Sequence, residues 1–122
     1  MSFLVNIPYL EEQDVGENGS LSPEVGKGKP VILMIQGNYC GYCTQAKPEF
    51  QKFATECKNA VACTIQIDDA GTGKNAMKKL ASVNNSLGIP TFLGFDSSGK
   101  YRSTHNGDRS TVALIEFAKS LQ

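Results

Sequence analysis

The feature of this sequence that most constrains its fold is a cysteine pair, Cys40 and Cys43, set between two segments of different pattern. An unbroken apolar run, Val31–Ile35, precedes the pair and is typical of a strand covered on both faces. After the pair, apolar residues recur through Cys57 at the spacing of one helical face. A strand that delivers a C-x-x-C pair to the first turn of a helix is the arrangement used for dithiol–disulfide chemistry.

Length and charge restrict the classes of protein to which the chain can belong. With 122 residues, we expect one domain over residues 1–122, large enough to bury a core without disulfide scaffolding. Twelve basic residues balance twelve acidic ones, which argues against nucleic acid or an anionic membrane as a partner. No apolar run approaches the roughly 20 residues of a membrane span. The start of the chain lacks the pattern of a secretory signal, so we expect a cytoplasmic monomer, although a processed periplasmic or secreted form would look the same.

The patterning predicts alternating strands and helices after an irregular beginning. Residues 1–30 read as a short strand, Phe3–Ile7, followed by an acidic, Gly-rich loop with one helical turn at Ser22–Val25. A helix follows the cysteines, with a kink expected at Pro48. The remaining predicted elements are a strand over 61–67, a helix over Lys74–Leu87, a hairpin of Thr91–Phe95 and Lys100–Thr104, and a last helix over 112–121 capped by Asp108 or Ser110.

Four features in one order make the chain similar to the thioredoxin superfamily. They are C-G-Y-C at Cys40–Cys43, a proline at Pro48, the segment Gly88–Thr91 before a strand, and Gly107 after the hairpin. The resemblance covers the chain from about residue 31 to its end. It implies an α/β thioredoxin fold, in which helices flank both faces of a mixed central β-sheet. It also implies a thiol–disulfide oxidoreductase that exchanges electrons with protein dithiols and disulfides and with a separate redox partner.

The resemblance also assigns roles to residues. Cys40, at the positive end of a helix, is the expected nucleophile, and the more buried Cys43 is the expected resolving cysteine. The Ile89–Pro90 peptide bond is expected to be cis and to pack against both cysteines, where the backbone beside it would pair with an extended substrate. The expected substrate-binding residues are Tyr39, Gly41, Tyr42, Ile89, Pro90, Thr91 and Gly107. No metal and no cofactor beyond the Cys40–Cys43 disulfide is expected.

The chain departs from the family at two positions behind the cysteines. Thioredoxins carry a buried carboxylate six residues before the first cysteine and a lysine on the neighbouring strand, whereas this chain has Met34 and Thr64. We therefore expect the proton of Cys43 to leave through water or Cys40. The dipeptide Gly41–Tyr42 looks like that of the periplasmic disulfide isomerase family. A tyrosine hydroxyl near the sulfurs would favour the reduced form, but the direction of reaction stays open.

Other functions and other roles for the cysteines remain open at this stage. A thioredoxin-like module could bind protein partners with little turnover, and the missing carboxylate favours that alternative. A zinc site would need ligands from Cys57, Cys63 and His105, which form no second close pair. An iron–sulfur cluster shared between two chains would need features of a glutathione site that the sequence does not show. Cys57 and Cys63 fit apolar packing, although a disulfide between them depends on their spacing in the fold. His105 is expected to be a turn residue.

Overall fold

A computed structural model of the chain describes residues 4–68, 72–81, 83 and 88–122. A short 3-10 turn, Glu12–Asp14, precedes the first helix. The regular elements are α1 (Pro23–Gly26), β1 (Val31–Gln36), α2 (Gly41–Glu56), β2 (Val61–Gln66), α3 (Thr72–Leu80), β3 (Thr91–Phe95), β4 (Tyr101–Thr104) and α4 (Thr111–Lys119).

The four strands form one mixed sheet in the order β2-β1-β3-β4. Strand β1 is central, runs parallel to β2 and antiparallel to β3, and all six of its residues are buried. Met34 pairs with Thr64 on one side and with Phe92 on the other, so three strands meet directly behind the helix that carries the cysteines. The apolar run at 31–35 therefore forms the covered strand that its composition predicts.

Side-chain alternation along the central strand divides the core into two layers. Ile32 and Met34 pack with residues of α2 and α4, whereas Leu33 and Ile35 pack with residues of α3 and of the N-terminal segment. Helices therefore cover both faces of the sheet, and the predicted α/β thioredoxin fold is confirmed.

The predicted strand over Phe3–Ile7 is wrong for residues 4–7; Phe3 itself lies outside the described residues. Asn6 adopts a left-handed backbone conformation, with φ of 60°, which turns the chain instead of extending it. Shortly after this segment, Tyr9 forms an isolated parallel bridge to Thr64 of the sheet. Around that bridge, Thr64 N–H donates to the Pro8 carbonyl at 3.0 Å and Leu10 N–H donates to the Thr64 carbonyl at 2.8 Å. The predicted acidic loop follows, and it packs against the core through the buried side chains of Val15 and Leu21. Leu10, just before the loop, is buried as well.

The helix boundaries follow the capping residues. Ser110 is the N-cap of α4, and its hydroxyl accepts from Ala113 N–H at 3.2 Å. Helix α3 begins two residues before the predicted start and ends at Leu80, while 82 and 84–87, the end of the predicted helix, lie outside the described residues. Helix α2 is continuous through Pro48, so the kink there stays a prediction. Among the helices of the described ranges, none combines the length and the apolar character needed to cross a bilayer.

Candidate active site

The two cysteines lie at the beginning of α2, where β1 and a three-residue loop deliver them. Cys40 is the N-cap residue of the helix, with extended backbone dihedrals, and Cys43 lies in its first turn. The two residues form a disulfide, with Cα atoms 5.1 Å apart. Cys43 N–H points at the Cys40 sulfur at 3.1 Å, so the sulfur takes the position that a capping oxygen fills in most helices. A thiolate at this position would face the unpaired amides and the positive end of the helix dipole.

Access to the two sulfurs is unequal. Cys43 is fully buried, whereas Cys40 is half-buried at the surface. Tyr39 and Tyr42 flank Cys40 with side chains that are 95% and 68% exposed. A Cβ atom built on Gly41 would meet no atom within 4 Å, so open space lies outside the turn. An approaching substrate can therefore reach Cys40 before it reaches Cys43.

The expected substrate-positioning segment lies beside Cys40. The Ile89–Pro90 peptide bond is cis, as expected, and the Ile89 carbonyl oxygen is 3.8 Å from the sulfur of Cys40, one of the two cysteines that it was expected to contact. Thr91 begins β3 and donates its hydroxyl to the Gly88 carbonyl. Gly107 also lines a surface groove of about 280 Å³, whose lining includes Pro90, Thr91, Phe92, Thr104, His105, Asn106, Gly107 and Arg109.

A second groove lies between the first half of α2 and the residues that lead into α4. It has a volume of about 250 Å³ and is lined by Tyr42, Gln45, Ala46, Glu49, Asp108, Arg109 and Ser110. Arg109 borders both grooves, so a cation stands between them. The predicted substrate-binding residues Tyr42, Pro90, Thr91 and Gly107 therefore line one or other of two neighbouring grooves.

The position behind Cys43 holds no carboxylate. Met34 is completely buried in the same apolar cluster as Cys43. Thr64, the neighbour of Met34 in β2, donates its hydroxyl to the Met34 carbonyl at 2.7 Å. Gln36 donates its side-chain amide to Thr64 Oγ1 at 3.4 Å. The departure noted in the sequence thus places a thioether and a hydroxyl where the family places a charge pair.

Two charged residues near the site were missed by the sequence reasoning. Lys47 lies on the buried side of α2, one turn after Cys43, and is only 4% exposed. Burial lowers the pKa of Lys47, and the charge of Asp68 partly opposes that shift by raising it. The Asp68 carboxylate accepts a hydrogen bond from Asn38 N–H at 2.7 Å, in the loop that leads to Cys40. The signal was present in the sequence, because a lysine four residues after Cys43 interrupts an otherwise apolar helical face.

The remaining cysteines do not join the redox pair, and the histidine lies in the lining of the groove beside Pro90. Cys57 and Cys63 are free, and they pack on opposite faces of the sheet. Burial, with a smaller contribution from Asp14, raises the pKa of the Cys63 thiol. His105 Nε2 lies 2.6 Å from the Asp108 carbonyl oxygen, as expected of a turn residue. Within the described ranges, no three His, Cys, Asp or Glu side chains come together as metal ligands would.

Comparisons with known proteins agree on one family. Residues 16–120 match the sequence model of the family described as Thioredoxin. A protein of Invertebrate iridescent virus 6 that is named as thioredoxin-like is 38% identical over 99 residues, which are 71% of this chain and 69% of the relative. The protein disulfide isomerase-like 2-2 of Oryza sativa subsp. japonica is 27% identical over 97 residues, which are 80% of this chain but 25% of that relative.

Comparison with solved structures finds the same fold. The pneumococcal exposed lipoprotein thioredoxin of Streptococcus pneumoniae superposes with a TM-score of 0.64 at 22% identity, covering 88% of this chain and 96% of that chain. Form II of human ERp44 superposes with a TM-score of 0.68 at 15% identity, covering 98% of this chain and 31% of that chain. The present chain thus has the size of one thioredoxin unit, while several of its relatives are much longer.

Proposed function

We propose that Cys40 is the nucleophile and Cys43 the resolving cysteine of this chain, which belongs to the thioredoxin family and is a thiol–disulfide oxidoreductase. The observation that carries the assignment of roles is the unequal placement of the two sulfurs. Cys40 caps α2 at the surface beside the Ile89 carbonyl, whereas Cys43 is buried one turn further along. The reduced pair carries two electrons as a dithiol and gives them up when the Cys40–Cys43 disulfide forms, so we propose no further cofactor.

The reduced protein would act in two exchange steps. The Cys40 thiolate attacks one sulfur of a substrate disulfide; the substrate S–S bond breaks, a mixed disulfide forms, and the first substrate sulfur leaves as a thiolate. The Cys43 thiol then loses its proton and attacks the Cys40 sulfur, which releases the second substrate sulfur and forms the Cys40–Cys43 disulfide. The substrate gains two electrons and the protein loses two. Run in reverse, the same steps oxidise a substrate dithiol.

Protein disulfides and dithiols are the substrates of this family, and the shape of the site supports an extended protein segment as the bound form. The Ile89 carbonyl offers backbone beside the Cys40 sulfur, and the adjoining groove is lined by Pro90, Thr91 and Gly107. Tyr39 and Tyr42 supply exposed aromatic surface on either side of Cys40. We further propose a monomer that works in the cytoplasm with a separate redox partner.

Insulin reduction by dithiothreitol tests the roles of the cysteines. Wild type should accelerate the precipitation of insulin, while Cys40→Ser and Cys43→Ser should lose catalysed turnover. Cys43→Ser should also accumulate a mixed disulfide through Cys40, which mass spectrometry detects. Cys57→Ser is the matched control, because this cysteine is distant from the exchange steps and should leave the rate unchanged. Equal rates for wild type and Cys40→Ser would remove the proposal.

A binding module with little turnover is the second candidate, and the buried Met34 behind Cys43 favours it. Without a base at that position, the resolving step would be slow. The two candidates separate in a single-turnover experiment with a disulfide-bonded peptide. A mixed disulfide that persists in wild type for as long as in Cys43→Ser would favour the binding module, whereas rapid release of the peptide thiol favours the enzyme.

A further inference from the structure

A lysine shares the buried face of α2 with the resolving cysteine. Lys47 and Cys43 share the inward face of α2, and both side chains are removed from solvent. Residues four apart on a helix are neighbours, and side chains lean toward the helix N-terminus. The stem of Lys47 therefore leads back over the turn that holds Cys43. Apolar side chains are the usual occupants of buried helix positions, so the ammonium group of Lys47 at this position requires an explanation.

A carboxylate anchored beside the cysteine loop faces this lysine. Asp68 follows the end of β2, and its Oδ2 accepts from Asn38 N–H at 2.7 Å, two residues before Cys40. The same carboxylate lies close to Gly37, where a Cβ atom would stand 3.5 Å from Oδ2. Its charge raises the pKa of Lys47 against the larger opposing effect of burial. The ammonium and the carboxylate therefore interact across the space between α2 and the loop that delivers Cys40.

The strands that pack against α2 offer no charge at this level. Met34, Gln36 and Thr64 are all buried and neutral. The Gln36 side-chain carbonyl is buried and accepts no hydrogen bond from any of the described residues. Further along α2, Glu49 is directed at α4, where it accepts from the amide and the hydroxyl of Thr111. In the part of the chain that the structure describes, the charge nearest along α2 to Cys43 on its inward face is thus Lys47.

We propose that the Lys47 ammonium, on the inward face of α2 one turn after Cys43, stabilises the thiolate form of the reduced Cys40–Cys43 pair through its electric field. The inference rests on the exchange reaction proposed above and adds a positioning residue to it. A positive charge within a few ångströms of a thiol in a water-poor site favours the thiolate, because the field is weakly screened there. A stabilised thiolate favours the reduced protein, so Lys47 would make the disulfide more oxidising.

The equilibrium with glutathione measures this effect directly. The protein dithiol and glutathione disulfide give the protein disulfide and two molecules of reduced glutathione, with electrons and protons balanced. Lys47→Met keeps the length of the side chain and removes the charge; it should shift the equilibrium constant about tenfold toward the protein disulfide, which equals about 30 mV for a two-electron couple. Lys52→Met, an exposed lysine of the same helix, is the matched control and should shift it little.

The charge of Asp68 supplies a test that a merely structural role would fail. Asp68→Asn keeps an oxygen that can accept from Asn38 N–H but removes the negative charge. Measured from pH 6 to pH 8, this variant should shift the equilibrium toward the dithiol, opposite to Lys47→Met. A pair that only ties α2 to the loop would move both variants in the same direction. That result, or a Lys47→Met shift no larger than that of Lys52→Met, would overturn the inference.

Two further measurements keep the outcome interpretable. Lys47→Arg keeps the charge and should restore the wild-type equilibrium constant even where Lys47→Met lowers the stability of the fold. In a Cys43→Ser background, the pH at which Cys40 becomes half alkylated should rise in Lys47→Met and stay unchanged in Lys47→Arg. A wild-type protein that fails to exchange with glutathione would reject the proposed function itself. Exchange that proceeds with no difference among the variants would reject only the role of Lys47.

Discussion

A glutamate at position 34 would restore a carboxylate behind Cys43, and the structure predicts both its cost and its benefit. Met34 is fully buried between Thr64 and Phe92 on the central strand. A carboxyl group buried in such a site resists ionisation, and its pKa can rise by about 3 units. Because each unit corresponds to about 1.4 kcal/mol, Met34→Glu should lose roughly 4 kcal/mol of stability between acidic and neutral pH.

The sign of this pH dependence follows from linkage. The folded pKa of the new carboxyl lies above its unfolded value, so the unfolded state releases the proton first as the pH rises. The penalty is therefore absent below the unfolded pKa, near 4.3, and grows until the pH reaches the folded pKa. Urea denaturation of Met34→Glu and Met34→Gln at pH 4 to 8 measures it, because the glutamine variant has nearly the same shape and no charge. Parallel pH profiles for the two variants would refute the reasoning.

The benefit should appear in the resolving step. A carboxylate whose pKa has been raised toward neutrality is a suitable base for the Cys43 thiol. In single-turnover exchange near pH 7, Met34→Glu should release peptide thiol faster than wild type, and Met34→Gln should not. Equal release rates for the two variants would mean that the proton of Cys43 does not limit the resolving step.

Three further predictions concern the frame around the site. Gly94→Ala should lose about 1–3 kcal/mol in urea denaturation, because its Cβ would stand 2.6 Å from a Leu121 methyl, whereas Gly41→Ala should be tolerated by the fold. The backbone amide and the hydroxyl of Thr111 donate to Glu49 and hold the pKa of its carboxyl below the usual value. The folding free energy that the carboxylate contributes is therefore present above its pKa in the unfolded chain and is lost as the pH falls through its pKa in the folded protein. Glu49→Gln should accordingly reduce the loss of stability at acidic pH, which urea denaturation measures. Cys63 should resist alkylation in the folded protein and react only after denaturation.

The parts of the fold that could be predicted are those fixed by local pattern. The strand at 31–36, the helix from the cysteines onward and the hairpin around Gly99 each carry their own signal in periodicity or turn chemistry. The N-terminal strand was predicted wrongly because its own local pattern was weak. Its alternation was short, and one residue with positive φ, Asn6, outweighed it because an isolated stretch has no partner strand to hold it extended.

The residues of the active site that belong to the sequence motif could be predicted, and the others could not. The cysteines and Pro90 stand in a fixed order, and the structure brings them together as that order implied. The pair of Lys47 and Asp68 belongs to no motif, because it joins two elements 21 residues apart and depends on which way each side chain turns. Sequence could mark Lys47 as misplaced on an apolar face, but only the fold supplies the carboxylate that accounts for it.

The departures of this chain from its family lie together and can be understood as one change. Losing the carboxylate at Met34 and the lysine at Thr64 removes a buried charge pair from the sheet side of Cys43. On the helix side, a buried lysine, Lys47, lies one turn after Cys43, and the charge of Asp68 raises the pKa of that lysine against the larger effect of burial. The two arrangements differ in sign at the sulfur: a carboxylate nearest the thiol accepts its proton, whereas an ammonium nearest the thiol favours the thiolate that remains. With Lys47 in the role proposed above, the wild-type pair should hold its electrons more readily than the pair of Lys47→Met does, and the glutathione equilibrium of the two proteins measures that difference.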